Sequence, residues 1–304
     1  MTIKNNTSTM FSWSTLSALA IATVAIEVGC GAEQKSGSQA DEPGNEYTED
    51  LPEETRDAFI GTLEDASVTA ELQITATLDA FDQLKSAIEA LVANSTDTDT
   101  RTAAQQAWVT AMTHWQKMEA MKMGAIGDSL KIVGGQDIGY EIYSWPITIQ
   151  CRVDKLTAYK EFEAQDFFED DDVQGNAYGL DALETLLFSP PTHNCSRQVI
   201  PESVWSDLGE SGVAQARADY SLKLIDQAII ELERAQSDWN NGFADALAQA
   251  GSAGNELFET DLSGLNAVFD ALFFMETLVK DKKLGWPLGV TPCGQGDCTD
   301  KVET

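Results

Sequence analysis

Leu78-Asp-Ala-Phe81-Asp-Gln-Leu84-Lys-Ser-Ala-Ile88-Glu-Ala-Leu91 decides the fold class. Its large apolar side chains return every three or four residues, the spacing that lines one face of an α-helix, and acids, Lys85 and small residues fill the gaps. Asn94-Ser-Thr-Asp-Thr-Asp-Thr100 follows, a polar break rich in side chains that cap helix N-termini. Beyond it Ala104, Trp108, Met112 (with Ala111), Trp115 and Met118 share one face of a second helix. Two long helices joined by so short a polar link predict an antiparallel hairpin.

Further along, Gly134-Gly135, Pro146 and the β-rich pieces Tyr140–Tyr143 and Ile147–Cys151 interrupt the helical period. They predict a long ordered loop with at most short strands. The acids Asp166, Glu169, Asp170, Asp171 and Asp172 lack the D-x-D-x-D-G spacing of a calcium loop and read as a solvated turn. Helical spacing resumes at Leu180–Phe188 and stops at Ser189-Pro190-Pro191, since proline cannot continue a helix. Pro201 then opens a helix whose stripe is Val213, Tyr220, Leu224, Ala228, Leu232 and Trp239. A last long helix carries Leu265, Val268, Leu272, Met275 and Val279. The expected fold is all-α over residues 55–292, in two helical-bundle halves of about 55–178 and 179–292 that meet near residues 180–210.

The flanks point to export. Leu16–Ile26 is an apolar run of eleven, too short to span a bilayer and suited to the core of a signal peptide over residues 1–29. Gly29-Cys30 at its end resembles a bacterial lipobox, although Glu27 stands where that motif has Leu, so Cys30 is the expected lipidation site. Residues 31–54 hold eight acids and one base among Gly, Ser and Pro, the composition of a disordered tether. The expected location is the cell envelope, on an outer-membrane lipid anchor, and plain secretion is the alternative. Outside the cytosol an even set of cysteines implies disulfides. Cys293-Gly-Gln-Gly-Asp-Cys298 can close on itself ahead of a short tail ending at residue 304, which leaves Cys151 with Cys195. A zinc site lacks both C-x2-C and histidine spacing.

Composition excludes several function classes. With 50 Asp+Glu against 19 Lys+Arg the net charge is −31, so neither nucleic acid nor an anionic membrane finds the basic patch it needs. Two histidines leave no basis for His-rich zinc or haem chemistry. No G-x-S-x-G, P-loop, dinucleotide fingerprint or H-E-x-x-H is present. One segment remains. In Gly179-Leu-Asp181-Ala-Leu-Glu184 the two carboxylates sit at i and i+3 near a helix N-terminus, where the dipole favours negative charge. Such a pair suits a hard cation or acid–base work. A solvated face or a capping role is the plainer reading.

That segment, followed by Thr185-Leu-Leu-Phe188, resembles the G-x-H-x-x-E motif of the imelysin-like proteins, an iron-regulated group also called insulin-cleaving membrane protease-like, with Asp181 in place of the histidine. Three further pieces agree in order. They are Ala107-Trp108 through Trp115 and Glu119 to Met123-Gly124, Ile142-Tyr-Ser-Trp-Pro146 with Cys151-Arg-Val-Asp154, and Lys283-Leu-Gly-Trp-Pro-Leu-Gly289. The resemblance covers roughly residues 58–290. It implies two related helical bundles with a site between them, exported proteins linked to iron acquisition, and a peptidase label. Carried over by position, Gly179, Asp181 and Glu184 form the motif, with Asp181 and Glu184 as metal ligands. Trp145, Arg152 and Asp154 are candidate cleft residues, although Arg152 and Asp154 equally suit a salt bridge fastening the loop. Replacing the histidine removes the natural base near neutral pH and turns the ligand preference toward calcium or ferric iron. The expected function is therefore a non-catalytic, iron-linked binding or accessory lipoprotein. Its partners would be the membrane, through the anchor, and an iron-uptake or envelope protein, not nucleic acid. A metallopeptidase of the same family and a ligand-free structural envelope protein are the alternatives.

Overall fold

The computed structural model describes residues 52–169 and 177–293; the signal segment, Cys30, nearly all of the tether, residues 170–176 and Cys298 lie outside them. The opening stripe belongs to α1 (Glu53–Ala93), which buries Phe81, Leu84, Ile88 and Leu91. The helix stops at Asn94, whose N–H donates to the carbonyls of Ala90 and Leu91. Asp97 then accepts the Asp99 N–H and caps α2 (Thr98–Glu119). The whole Ala104–Met118 face of α2 is buried, and Trp115 meets Phe81 of α1 with ring centroids 6.3 Å apart. The predicted hairpin is present.

The middle of the chain differs from the sequence-based expectation. Tyr140–Ile142 is helical: residues 138–142 form α3 (Ile138–Ile142), with Tyr143 extended after it, and Ile147–Cys151 leads into α4 (Gln150–Tyr159). Among the described residues there is no strand. Ile138 and Ile142 stand one helical turn apart and both are fully buried, so tertiary burial on a single face outweighs the β preference of the local residues. The amides of Tyr140 and Glu141 find their acceptor within the chain, at the Asp137 carbonyl.

Next come α5 (Gly179–Phe188) and α6 (Glu202–Asp238). The long α6 buries Val213, Tyr220, Leu224, Ala228 and Leu232, as the stripe predicts, and carries a break at Gly209 (φ 64°). A wide turn at Trp239–Phe243 passes into α7 (Ala244–Ala248). The last helix, α8 (Asp261–Phe274), is opened by a reciprocal Thr260–Ser263 capping box and continues as a wider coil through Leu284. Here the predicted stripe is buried only in part, at Val268. α8 meets its neighbours through Gly264, Ala267, Val268 and Ala271, whereas Leu272 and Met275 are 43% and 44% exposed. Gly264 lies so close to Ala250 and Leu63 that a Cβ there would be 2.6 Å from the Ala250 Cβ. Small residues permit that approach and large ones do not. One apolar cluster runs from Leu63 of α1 to Ala271 of α8, so the expected halves share a core.

A buried ion pair ties the middle to this core. Asp154 of α4 and Arg217 of α6 are 0% and 3% exposed and meet at 3.1 Å. The guanidinium also donates to the carbonyls of Ser189 (3.1 Å), Pro190 (2.7 Å) and Thr192 (3.1 Å). The Asp154 carboxylate in turn accepts the Asn194 N–H at 2.8 Å. The Cys151–Cys195 disulfide closes the same loop, as the cysteine pattern predicts. Cys293 is disulfide-bonded as well. Burial pulls the Arg217 pKa down and Asp154 pushes it back up. Arg217→Ala strands a buried carboxylate and is expected to cost about 3–5 kcal/mol in urea unfolding. Arg217→Met with Asp154→Leu, which removes both charges, should cost less than either single change.

Candidate functional site

Gly179 opens α5 with φ +84°, a conformation costly for other residues. A Cβ there would stand 2.8 Å from the Ile142 carbonyl oxygen and 3.2 Å from Asp181 Oδ1. The motif glycine is thus required twice, by its backbone angle and by the close approach of α3. This seating turns Asp181 inward, and only 4% of it is exposed.

The Asp181 carboxylate faces the loop between α3 and α4. Oδ2 accepts hydrogen bonds from the hydroxyls of Ser144 (3.1 Å) and Thr148. Oδ1 is buried without a hydrogen bond of normal geometry. Burial pushes the Asp181 pKa up to about 6, against the opposing pull of the Thr148 and Ser144 hydroxyls and of the nearby Asp181 and Ser144 amides. Around it, Tyr178 donates to Glu141 Oε2 at 2.6 Å, and burial together with that carboxylate raises the Tyr178 phenol. The Tyr140 phenol is raised by burial and then by Glu141 and Asp181. Asp181, Ser144 and Thr148 make an all-oxygen group on α5 and the α3–α4 loop, and the Tyr178–Glu141 pair joins the start of α5 to α3. Among the described residues no three His, Cys, Asp or Glu side chains converge as a metal cage.

The remaining sequence candidates divide. Trp145 lies in the same loop as Ser144 and packs on Trp286 of the closing segment, ring centroids 6.0 Å apart. Lys283 of that segment is buried, pairs with Glu119 at the end of α2 (2.5 Å), and sits over the Tyr143 and Trp145 rings. Three of the four motif pieces therefore converge beside the loop that holds Asp181. Glu184 is half-buried one turn along α5. Asp154 is not a cleft residue, since it is spent on Arg217 within the core, and Arg152 is half-buried near enough to Tyr220 to act on its phenol. The loop is fastened by an ion pair, as one reading of the sequence allows, but the cation is Arg217 rather than Arg152. Both histidines lie elsewhere. His114 on α2 has a buried Nδ1 without a hydrogen bond, and His193 accepts the Cys195 N–H at 3.2 Å and packs on Trp205.

Sequence reasoning gave no site role to Ser144, Thr148, Glu141, Tyr178 or Arg217, and it named Glu119 only within the resemblance to the family's second helix. Ser144 was within reach as a member of the quoted Trp-Pro segment. Thr148, Glu141, Tyr178 and Arg217 are joined to their partners across 33 to 63 residues of chain, and no local pattern announces them.

The chain is thus an all-α domain in which a glycine-led helical turn buries a carboxylate beside a Trp-Pro loop, with a Lys-Leu-Gly-Trp-Pro segment packed on that loop. The family model for imelysin, peptidase M75, matches residues 70–299, and the chain belongs to that family. No curated protein and no solved structure matches it.

The raised Asp181 pKa fixes a sign. The folded state holds this proton more tightly than the unfolded chain, whose ordinary value is 3.8. The stabilisation is complete below about pH 4 and is lost as pH rises toward 6. Asp181→Asn should flatten that part of the Tm-against-pH profile, a difference worth about 2–3 kcal/mol across the window. Parallel profiles for the two proteins would refute the assignment.

Proposed function

We propose that this imelysin-family protein is a non-catalytic binding or accessory lipoprotein of the cell envelope, linked to a hard cation such as ferric iron or calcium as cargo. The observation that carries the reading is the Asp181 carboxylate, nearly sealed from water yet with one oxygen free of hydrogen bonds. Burying an acceptor in this way is costly unless something completes it. The donors beside it are all oxygen, from Asp181, Ser144 and Thr148, with Glu184 one turn away, which suits hard cations over zinc. A hydrolytic metal centre rests on three protein ligands with a base at hand. With no converging group of three among the described residues, a loosely held cargo suits this site better than a resident catalytic ion, and the peptidase reading stands second. Export draws support from the Cys151–Cys195 disulfide, a bond that persists in oxidising compartments. The apolar run at 16–26, Gly29-Cys30 and the acidic tether supply a route to a lipid anchor.

Calorimetric titration with calcium and with ferric citrate tests the site. The parent chain should bind one of them, more tightly as pH rises from 5 to 7, because the cation displaces the Asp181 proton. Asp181→Asn and Glu184→Gln should each weaken binding at least tenfold at unchanged helicity. Superimposable titrations would sink the proposal, and chelator-sensitive cleavage of an unfolded protein would install the peptidase reading instead. For the anchor, mass spectrometry of protein from a native envelope should find an acylated N-terminal Cys30. An unmodified mature terminus elsewhere would count against lipidation.

A further inference from the structure

The 143–149 loop between α3 and α4 is fixed at both ends. α3 before it is seated through Ile138 and Ile142, both fully buried. α4 after it is tied down by the Cys151–Cys195 disulfide and by Asp154 on Arg217. Tyr143 and Ile149, where the loop leaves one helix and enters the next, have extended backbones. Between these ends the loop has two faces. Ser144 and Thr148 turn inward onto the Asp181 carboxylate, while Ile147 and Ile149 are exposed. The loop therefore covers Asp181 on that side. Its own backbone does little to hold it there, since the Ile147 N–H reaches the Ser144 carbonyl only at 3.3 Å, a long bond. What its side chains touch decides where it rests.

The other contacts come from the closing segment. Trp145 packs on Trp286 with ring planes 35° apart. Lys283 Nζ lies 5.1 Å from the centre of the Tyr143 ring and 6.0 Å from that of Trp145, and a cation over aromatic faces attracts them. Lys283 is not free to follow the loop, because buried Glu119 of α2 holds it at 2.5 Å. The turn around Trp286 lies at the surface, with Leu284 and Leu288 exposed. It closes on itself through the Val290 and Thr291 N–H groups, which donate to the Gly285 carbonyl at 3.0 and 3.2 Å. We propose that the 143–149 loop is a lid over the Asp181 carboxylate and that Trp286 is its latch. Opening lifts Ser144 and Thr148 from Oδ2 and parts Trp145 from Trp286 in one movement, because all three side chains ride on one short stretch of chain. Trp286 acts through Trp145 and is a positioning residue. The proposal rests on the cation reading of Asp181 for what passes the lid, and the closing segment sets how often the lid opens.

Carbodiimide coupling of glycine ethyl ester to the carboxylates of the full chain, read residue by residue by mass spectrometry, tests the lid with no cation present. In the parent, Asp181 should couple roughly a hundredfold more slowly than exposed Asp99, because only the open loop admits the reagent. Trp286→Ala should speed coupling at Asp181 about tenfold at an unchanged circular dichroism spectrum, the factor expected when one aromatic contact no longer favours the closed loop. Trp286→Phe, which keeps a ring against Trp145, should stay near the parent. Trp145→Ala should match Trp286→Ala, and combining the two should add little, since both remove the same contact. Asp154, buried at a different joint, should couple at the parent rate in every variant. A parallel rise at Asp154 marks general loosening and overturns the latch. Coupling of parental Asp181 at the Asp99 rate overturns the lid, and a Trp286→Ala rate equal to the parent's overturns the latch. Flat calcium and ferric citrate titrations alongside the expected coupling rates would sink the cation reading and leave the lid standing.

Discussion

α2, α6, α7 and α8 all pack on α1, a single helix of 41 residues whose apolar positions recur along most of its length. The rest of the arrangement depends on that constraint. A helix this long has no way to bury its stripe against itself, and each partner covers a different stretch of it. Where the partner is α2 the contact is made by large side chains, Phe81 with Trp115. Where it is α8 the contact is made by Gly264 and small residues against Leu63. The two modes place α2 and α8 differently on the same rod, and they explain why one helix buries its large residues while the other leaves them in the open.

Acidity sets the second constraint. Bases are scarce in this chain, and two of the most buried, Arg217 and Lys283, are each committed to a single carboxylate, Asp154 and Glu119. Both pairs lie at the joints between the regular helices and the irregular middle and closing segments. A buried pair of this kind contributes little net stability compared with an apolar replacement, but it tolerates few alternative geometries, because either charge left alone inside the protein is heavily penalised. Holding the 189–195 loop and the Trp286 segment in place is a task suited to that property. Asp181 is the contrasting case, a buried carboxylate met by hydroxyls and amides instead of a cation, and burial raises its pKa against the pull of those donors.

Part of the candidate site was legible in the sequence. Spacing puts Asp181 and Glu184 on one helix face, the family resemblance adds Gly179, and the glycine proves to be demanded by a positive φ and by the Ile142 carbonyl. The placement of Trp145 beside the closing segment agrees with the order of the motif pieces. For Asp154 the sequence left two readings, a cleft residue or an ion pair fastening the loop, and the ion pair is the one present. Arg152, two residues away, offered the obvious partner, and nothing local distinguishes that cation from Arg217, which comes 63 residues after Asp154.

Taken by itself, the sequence determined the long helices, the polar break and cap between the first two, and the stop at Ser189-Pro190-Pro191. Periodicity, capping and the inability of proline to continue a helix are properties of a few neighbouring residues, so they are written where they act. Tertiary structure alone decided that Ile138–Ile142 is helical, that Asp181 rests on Ser144 and Thr148, that Arg217 takes Asp154, and that α8 turns its small residues inward and Phe269 and Phe273 out. Each of these depends on how closely two distant backbones approach, a distance set by the packing of whole helices and not by the side chains beside them in the chain.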